Sequence, residues 1–223
     1  VFPGQGSQSV GMLAELAAHW PQVRQTFDEA SAVLGEDLWA LSQTGPAEAL
    51  ARTEITQPLM LTAGVAAARA WAAAGGPAPG RMAGHSLGEY AALVCAGALD
   101  FAAAVTLVRE RGRYMQDAVP PGQGAMLAIL GLPASAVEGI CEQAAQGDVL
   151  SLANHNSPIQ SVIAGTAAAV ERARELARTA GAKRAVPLPV SAPFHCALME
   201  PAAQRLAPVL VATAIQAPSV SVV

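Results

Sequence analysis

Hydrophobic and polar positions recur with two different periods along this chain, and the change falls near residue 120. Up to about Val119 apolar residues return at three- and four-residue spacing, as they do in helices that bury one face. This predicts a helix from Pro21, whose ring suits a first turn, to Leu34, and a long buried alanine-rich helix over Gln57–Ala74. Two short strands interrupt the helices. One, starting at Val1-Phe2, precedes Pro3-Gly4-Gln5-Gly6; the other, Arg81-Met82-Ala83, follows the breaker Gly75–Gly80, and both are expected to be buried. A helix continues over Glu89–Ala96, and Asp100 is a suitable cap for the next, over Phe101–Met115. Beyond Gly124 the period shortens. Strands are predicted at Ala125–Leu130, Val149–Asn154, Gln160–Ala164 and Arg184–Val190, with helices at Pro133–Gln146 and Thr166–Ala180. That β-α-β-β-α-β order is the ferredoxin-like pattern. A last helix is expected near Phe194–Ala214, opened by Pro193, and a strand at Ser219–Val223. The reading is an α/β protein with a large domain begun over 1–120, a ferredoxin-like small subdomain inserted over 121–192, and a return segment over 193–223.

Composition narrows the class. With 52% hydrophobic and 13% charged residues in 223, the chain can bury a sizeable core and is not disordered. A net charge of −4 offers nucleic acid or anionic lipid no global attraction, so any anionic partner needs a local basic cluster. Arg69 interrupts the longest apolar run, and no charged-then-apolar leader opens the chain, so no membrane partner and a cytoplasmic location are expected. Cys95, Cys141 and Cys196 are odd in number and lack C-x-x-C spacing, which indicates neither a disulfide framework nor a metal site. Both ends fall inside strand-like segments, and the residues are expected to be part of a longer protein.

Chemistry enters at Gly84-His85-Ser86-Leu87-Gly88. This matches the G-x-S-x-G nucleophile elbow, a sharp strand-to-helix turn that presents a serine hydroxyl to a carbonyl; the bland reading is a helix-capping serine. Such a serine needs a base. Among the four histidines, His19 reads as a surface residue, His85 belongs to the elbow, and His155 sits in the loop Asn154-His155-Asn156-Ser157-Pro158. His195, expected at a helix start where the chain returns from the insertion, is the preferred base. On the Phe101–Met115 helix, Arg111 shares a face with Ala104, Leu107, Val108 and Met115. A guanidinium on an apolar face requires a partner, either an internal carboxylate such as Glu89 or a carboxylate on a substrate. The loop Gly4-Gln5-Gly6-Ser7-Gln8 lacks the lysine and spacing of a phosphate cradle but can aim a backbone N–H at an oxyanion.

Together, Phe2–Gln8, Thr56-Gln57-Pro58, Gly84–Tyr90, Arg109–Gly112, Asn154–Pro158 and Phe194-His195 closely resemble the malonyl-CoA:acyl carrier protein transacylases of fatty acid synthesis, in register along the chain. The resemblance implies an α/β-hydrolase-like large domain carrying the ferredoxin-like insert. It further implies ping-pong transfer of malonyl from coenzyme A to the phosphopantetheine thiol of acyl carrier protein, with no permanently bound cofactor, in a monomer. On matching positions it makes Ser86 the nucleophile, His195 the general base and acid, and Arg111 the clamp on the malonyl carboxylate. Backbone N–H groups of Gln5 and Leu87 form the oxyanion hole, and Gln57 and Asn156 line the site. The group that orients the histidine in this family lies beyond residue 223, and His155 departs from the aromatic residue some members carry.

Three rivals are distinguishable. A serine esterase would place an acid such as Asp117 or Asp148 between Ser86 and His195 and have no use for Arg111. A non-catalytic carrier-binding module would not need Ser86, His195 and Arg111 intact. The acyltransferase domain of a polyketide synthase is the nearest relative, with Leu87 and Phe194 looking like malonyl rather than methylmalonyl selectors. For carrier-protein docking the candidate is Lys183-Arg184, beside Arg174 and Arg178 on the preceding helix.

Overall fold

The computed structural model describes residues 1–223 as an α/β protein. In chain order its helices are α1 (Ala14–His19), α2 (Pro21–Leu34), α3 (Leu38–Thr44), α4 (Ala47–Ala51), α5 (Thr53–Ala73), α6 (Gly88–Cys95), α7 (Phe101–Asp117), α8 (Ala134–Ala145), α9 (Ala167–Thr179) and α10 (Glu200–Ala212). The strands are β1 (Arg81–Met82), β2 (Gly124–Leu130), β3 (Leu150–Ser157), β4 (Gln160–Thr166), β5 (Arg184–Pro187) and β6 (Ser221–Val222). Two compact units result, Val1–Arg113 with Leu206–Val223, and Tyr114–Arg205. Their boundaries fall within α7 and α10, where the sequence pattern set them at 120/121 and 192/193.

The first unit is built on α5. Thirteen of its side chains are buried, and α2 packs along it through Val23, Phe27 and Ala30, with Phe27 meeting the Trp39 ring edge-on at 5.0 Å. This helix begins at Thr53, four residues before the expected Gln57, and so runs through Pro58. Proline has no N–H to return to the carbonyl four residues back. That carbonyl, on Glu54, lies 3.4 Å from Arg109 Nη1, and Arg109 also pairs with Glu36 at 2.9 Å. An arginine from α7 thus accompanies the break in the helical ladder, which periodicity alone could not show.

The short strands of this unit differ from expectation. β1 pairs in parallel with β6, but Arg81 is exposed and Met82 half-buried, and Val1 is exposed. Phe2 forms only an isolated parallel bridge to Gly84. Phe2 N–H donates to Ala83 O at 2.8 Å and His85 N–H to Phe2 O at 3.0 Å, so the chain entering Gly4–Gln8 is laid beside the chain entering Ser86.

The second unit is a four-stranded antiparallel sheet in the order β3-β4-β2-β5, with α8 and α9 as the crossovers of a β-α-β-β-α-β chain. Alternate residues of β2 and β4 serve opposite faces, as the pleat requires. Leu127, Ile129 and Ile163 join Val137, Ile140, Val170 and Ala173 of the helices, while Met126, Ala128, Val162 and Ala164 join Met115, Phe194 and Met199. Burial of both faces explains why β2 reads as an uninterrupted apolar run. The sequence pattern ends β3 at Asn154 and makes 154–158 a loop. The strand instead continues to Ser157, with irregularities in pairing between Leu152 and Asn154 and between His155 and Ser157. β5 is shorter than expected, ending at Pro187.

In the first unit α7 crosses the start of α5 at Gly112, where a Cβ would stand 2.7 Å from both Glu54 Cα and Thr53 O. Alanine is the better helix former by about 1 kcal/mol. Backbone cannot yield as a side-chain tip does, so overpacking outweighs propensity and Gly112→Ala is expected to destabilise by about 1–3 kcal/mol. Urea unfolding checks this; stability equal to or above wild type would mean the helices part at no cost.

Candidate active site

The elbow is a region of close backbone approach. At Gly84 a Cβ would lie 2.0 Å from Glu89 N and Gly88 C, and at Gly88 one would lie 2.3 Å from Phe2 O. No side chain fits at either place. Between them Ser86 takes φ 53°, a left-handed conformation that costs a non-glycine residue about 1–2 kcal/mol. Gly88, Glu89 and Tyr90 N–H groups donate to His85, Ser86 and Leu87 carbonyls at 3.0–3.1 Å, tightening the turn into α6. Ser86 is not the cap of that helix: Leu87 holds the cap position and no side chain bonds there. The helix-capping reading of Ser86 is therefore set aside. The backbone N–H groups of Gln5 and Leu87 donate to no backbone or side-chain acceptor, whereas Gly6 N–H is taken by Gln8 Oε1 at 2.8 Å.

Arg111 reaches the same place from α7. Its Nη1 donates to Gln57 Oε1 at 2.7 Å, its Nη2 lies 3.4 Å from Ser86 Oγ, and its Cζ stands 5.6 Å from the centre of the Tyr90 ring. The neighbours Ala104, Leu107 and Val108 are buried, as the helical face predicted. Burial pushes the guanidinium below the usual arginine range, opposed by the adjacent Tyr90 and by the negative charge of Glu89, and burial pushes the Tyr90 hydroxyl up. Glu89 acts only at longer range: Arg109 and Arg113 make ion pairs, with Glu36 and Glu110, and Arg111 makes none. An internal carboxylate partner for Arg111, one of the two readings of the sequence, is thus not found. The resemblance marks Gln57, only 1% exposed, as a site residue, but nothing in the sequence signals that it is the partner of Arg111.

His195 belongs to the second unit. It sits in a turn at φ 59°, exposed, and not at a helix start as expected. A single 3₁₀ turn, Ala197–Met199, follows, and α10 opens at Glu200 with Pro201 in its first turn. Proline cannot return an N–H to residue 197, so a helix from Phe194 would lose a bond there. The buried Phe194 anchors this turn on the sheet face formed by Met126, Ala128, Val162 and Ala164. Asn156 and His155 are exposed on β3, and Lys183 and Arg184 are exposed at the start of β5. Arg174 and Arg178 pair with Glu171 and Glu175 one turn earlier on α9, so their charges are matched, whereas Lys183 and Arg184 make no ion pair. The acids an esterase would need are likewise engaged, Asp117 with Arg205 at 3.0 Å and Asp148 with Arg172 at 2.7 Å. Burial pushes the Cys95 and Cys141 thiols up to about 11, unsuited to thiolate chemistry at neutral pH.

A serine on a strained strand-to-helix turn beside unengaged backbone donors is the equipment of enzymes that carry acyl groups on serine. The chain belongs to the acyl transferase domain family, whose model matches residues 1–223. It is 61% identical over 223 residues to the malonyl CoA-acyl carrier protein transacylase of Escherichia coli strain K12, covering 100% of this chain and 72% of that protein. The solved transacylase of the same name from Coxiella burnetii superposes with a TM-score of 0.98 at 58% identity, over 99% of this chain and 70% of that one. A second solved structure, a malonyl-transacylase in complex with its type II PKS acyl-carrier protein, gives a TM-score of 0.97 at 57% identity, over 100% and 72%.

Proposed function

We propose that this chain moves a malonyl group from malonyl-CoA to the phosphopantetheine thiol of acyl carrier protein, in fatty acid synthesis, through a malonyl ester of Ser86. The observation that carries the reading is the Arg111 guanidinium, 3.4 Å from the Ser86 hydroxyl and in contact with neutral groups, the Glu89 carboxylate acting only from beyond ion-pair distance. Its charge is left for an anion on the acyl group, and a planar fork suits a carboxylate in two parallel bonds. Gln57 would hold Arg111 and line the site with Asn156.

In the first half-reaction Ser86 Oγ attacks the thioester carbonyl and passes its proton to His195. The carbonyl oxygen gains negative charge and is met by the Gln5 and Leu87 N–H groups, at the positive end of α6. Collapse breaks the C–S bond, and coenzyme A leaves as the thiol with the proton from His195. The second half runs the same steps with the phosphopantetheine thiol as nucleophile, returning the proton to Ser86. Coenzyme A is thus a substrate, and no step calls for a bound cofactor. The engagement of Asp117 and Asp148 in ion pairs favours a dyad over an esterase triad. The order of the antiparallel sheet supports a ferredoxin-like description of the small subdomain, and the strand–Ser86–helix turn an α/β-hydrolase-like description of the large one. We take the protein to act as a cytoplasmic monomer. Lys183 and Arg184, exposed and outside the ion pairs of α9, are the proposed docking point for the carrier protein.

Ser86→Ala is expected to abolish the malonyl adduct seen by intact mass after incubation with malonyl-CoA, and His195→Ala to slow transfer by about 10²–10⁴-fold. An adduct persisting in the serine variant would overturn the assignment. For Arg111→Ala, malonyl transfer should fall by about 10–100-fold, the worth of a charge-assisted pair, while acetyl transfer holds or rises. Equal losses for both acyl groups would make Arg111 a structural residue. Reversing Lys183 and Arg184 to Glu should raise KM for the carrier and flatten its salt dependence, with Ser86 acylation by saturating malonyl-CoA unchanged. Carrier kinetics that match wild type across a salt series would place docking elsewhere.

A further inference from the structure

Thr53, the first residue of α5, carries a hydroxyl that takes part in no catalytic step, yet it is fully buried, as is Gln57 one turn on. Gln57 Nε2 donates to Thr53 Oγ1 at 3.2 Å, and Thr53 Oγ1 donates to Gln5 Oε1 at 2.8 Å. Add the 2.7 Å bond from Arg111 Nη1 to Gln57 Oε1, and the donors form one directed chain, Arg111 to Gln57 to Thr53 to Gln5. A threonine hydroxyl has one proton, here given to Gln5, so it meets Gln57 as an acceptor. The guanidinium, which can only donate, takes the Gln57 oxygen, and the Thr53 hydroxyl accepts from the amide nitrogen and so holds the amide in that orientation. An amide turned the other way would set N–H against N–H in a buried place, at the cost of an unsatisfied donor.

We infer that Thr53 is a positioning residue that couples the two ends of the site, the Gln5 loop and Arg111. The inference rests on the proposed function, in which the Gln5 N–H meets the oxyanion and Arg111 the carboxylate. The hydroxyl touches neither the nucleophile nor a reacting atom. It fastens the N–H end of the amide whose oxygen holds Arg111 and tethers the side chain of the residue whose N–H is aimed at the oxyanion. The close crossing of α7 over Thr53 and Glu54 at Gly112 is what brings Arg111 within reach of this amide. Loss of the hydroxyl therefore acts on malonyl through both ends and on acetyl through the loop alone, so selectivity changes along with rate.

The test uses the whole chain and measures acylation of Ser86 by malonyl-CoA and by acetyl-CoA in wild type, Thr53→Val, Thr53→Ser and Gln5→Leu. Valine keeps the shape of threonine and removes the hydroxyl. In Thr53→Val the malonyl-to-acetyl ratio of kcat/KM should fall about tenfold, with KM for malonyl-CoA raised. Serine should restore the ratio to within about threefold of wild type, by the same reasoning. Gln5→Leu keeps the backbone N–H and removes the last acceptor at a partly exposed position, so it reads the same coupling even if the buried valine variant does not fold; its ratio should fall in the same direction. In an Arg111→Ala background the Thr53 substitution should no longer change the ratio. Malonyl and acetyl rates falling by one common factor, or an unchanged ratio in whichever of the two variants folds, would make Thr53 structural only and overturn the coupling while leaving the proposed function intact. A wild-type protein that takes up neither acyl group would remove both.

Discussion

A positive charge set among neutral groups is the constraint on which the first unit turns. Arg111 is partly withdrawn from water, and burial disfavours its charged form, yet arginine remains protonated at any pH at which a protein folds. The fold answers with dipoles rather than a carboxylate: the Gln57 amide oxygen, the Ser86 hydroxyl and the Tyr90 ring. A carboxylate in contact would have neutralised the charge and closed the site to an anionic acyl group. The neighbouring Arg109, on the same helix and opposite in use, has such a carboxylate in Glu36. Two arginines on one helix are thus divided between holding helices together and facing the nucleophile, because residues two apart on a helix point in different directions.

Holding that charge beside Ser86 requires bare backbone in two places. The strand-to-helix turn closes only because Gly84 and Gly88 offer no Cβ, and α7 meets α5 only because Gly112 offers none. These approaches set the distances of the site more rigidly than side-chain packing would, since backbone has no rotamers through which to relax. The left-handed Ser86 is stored strain of about 1–2 kcal/mol, held by the hydrogen bonds of the turn on either side of it. Burial along α2 and α5 supplies the surrounding stability, and the chemistry is placed where that packing ends.

Much of this protein is legible in the order of its residues alone. The βαββαβ order, the capping Asp100, the apolar face under Arg111 and the elbow glycines all depend on residues close in sequence, where period and turn chemistry act directly. Other features are decided by the tertiary structure. The start of α5 at Thr53 is hidden because Pro58 lacks the N–H that would continue the helical ladder, and the arginine beside the carbonyl freed by that proline lies 55 residues away. His195 leaves the helix expected of it because Pro201, not Pro193, opens α10. The separation of Arg174 and Arg178 from Lys183 and Arg184 turns on which acids stand one helical turn away, and α9 has to be a helix for those pairs to form. The directed chain from Arg111 to Gln5 joins α7, α5 and an N-terminal loop. A sequence can name such residues one by one; only the packing of backbone against backbone decides which hydroxyl meets which amide, because that choice depends on fractions of an ångström between elements that the chain order leaves far apart.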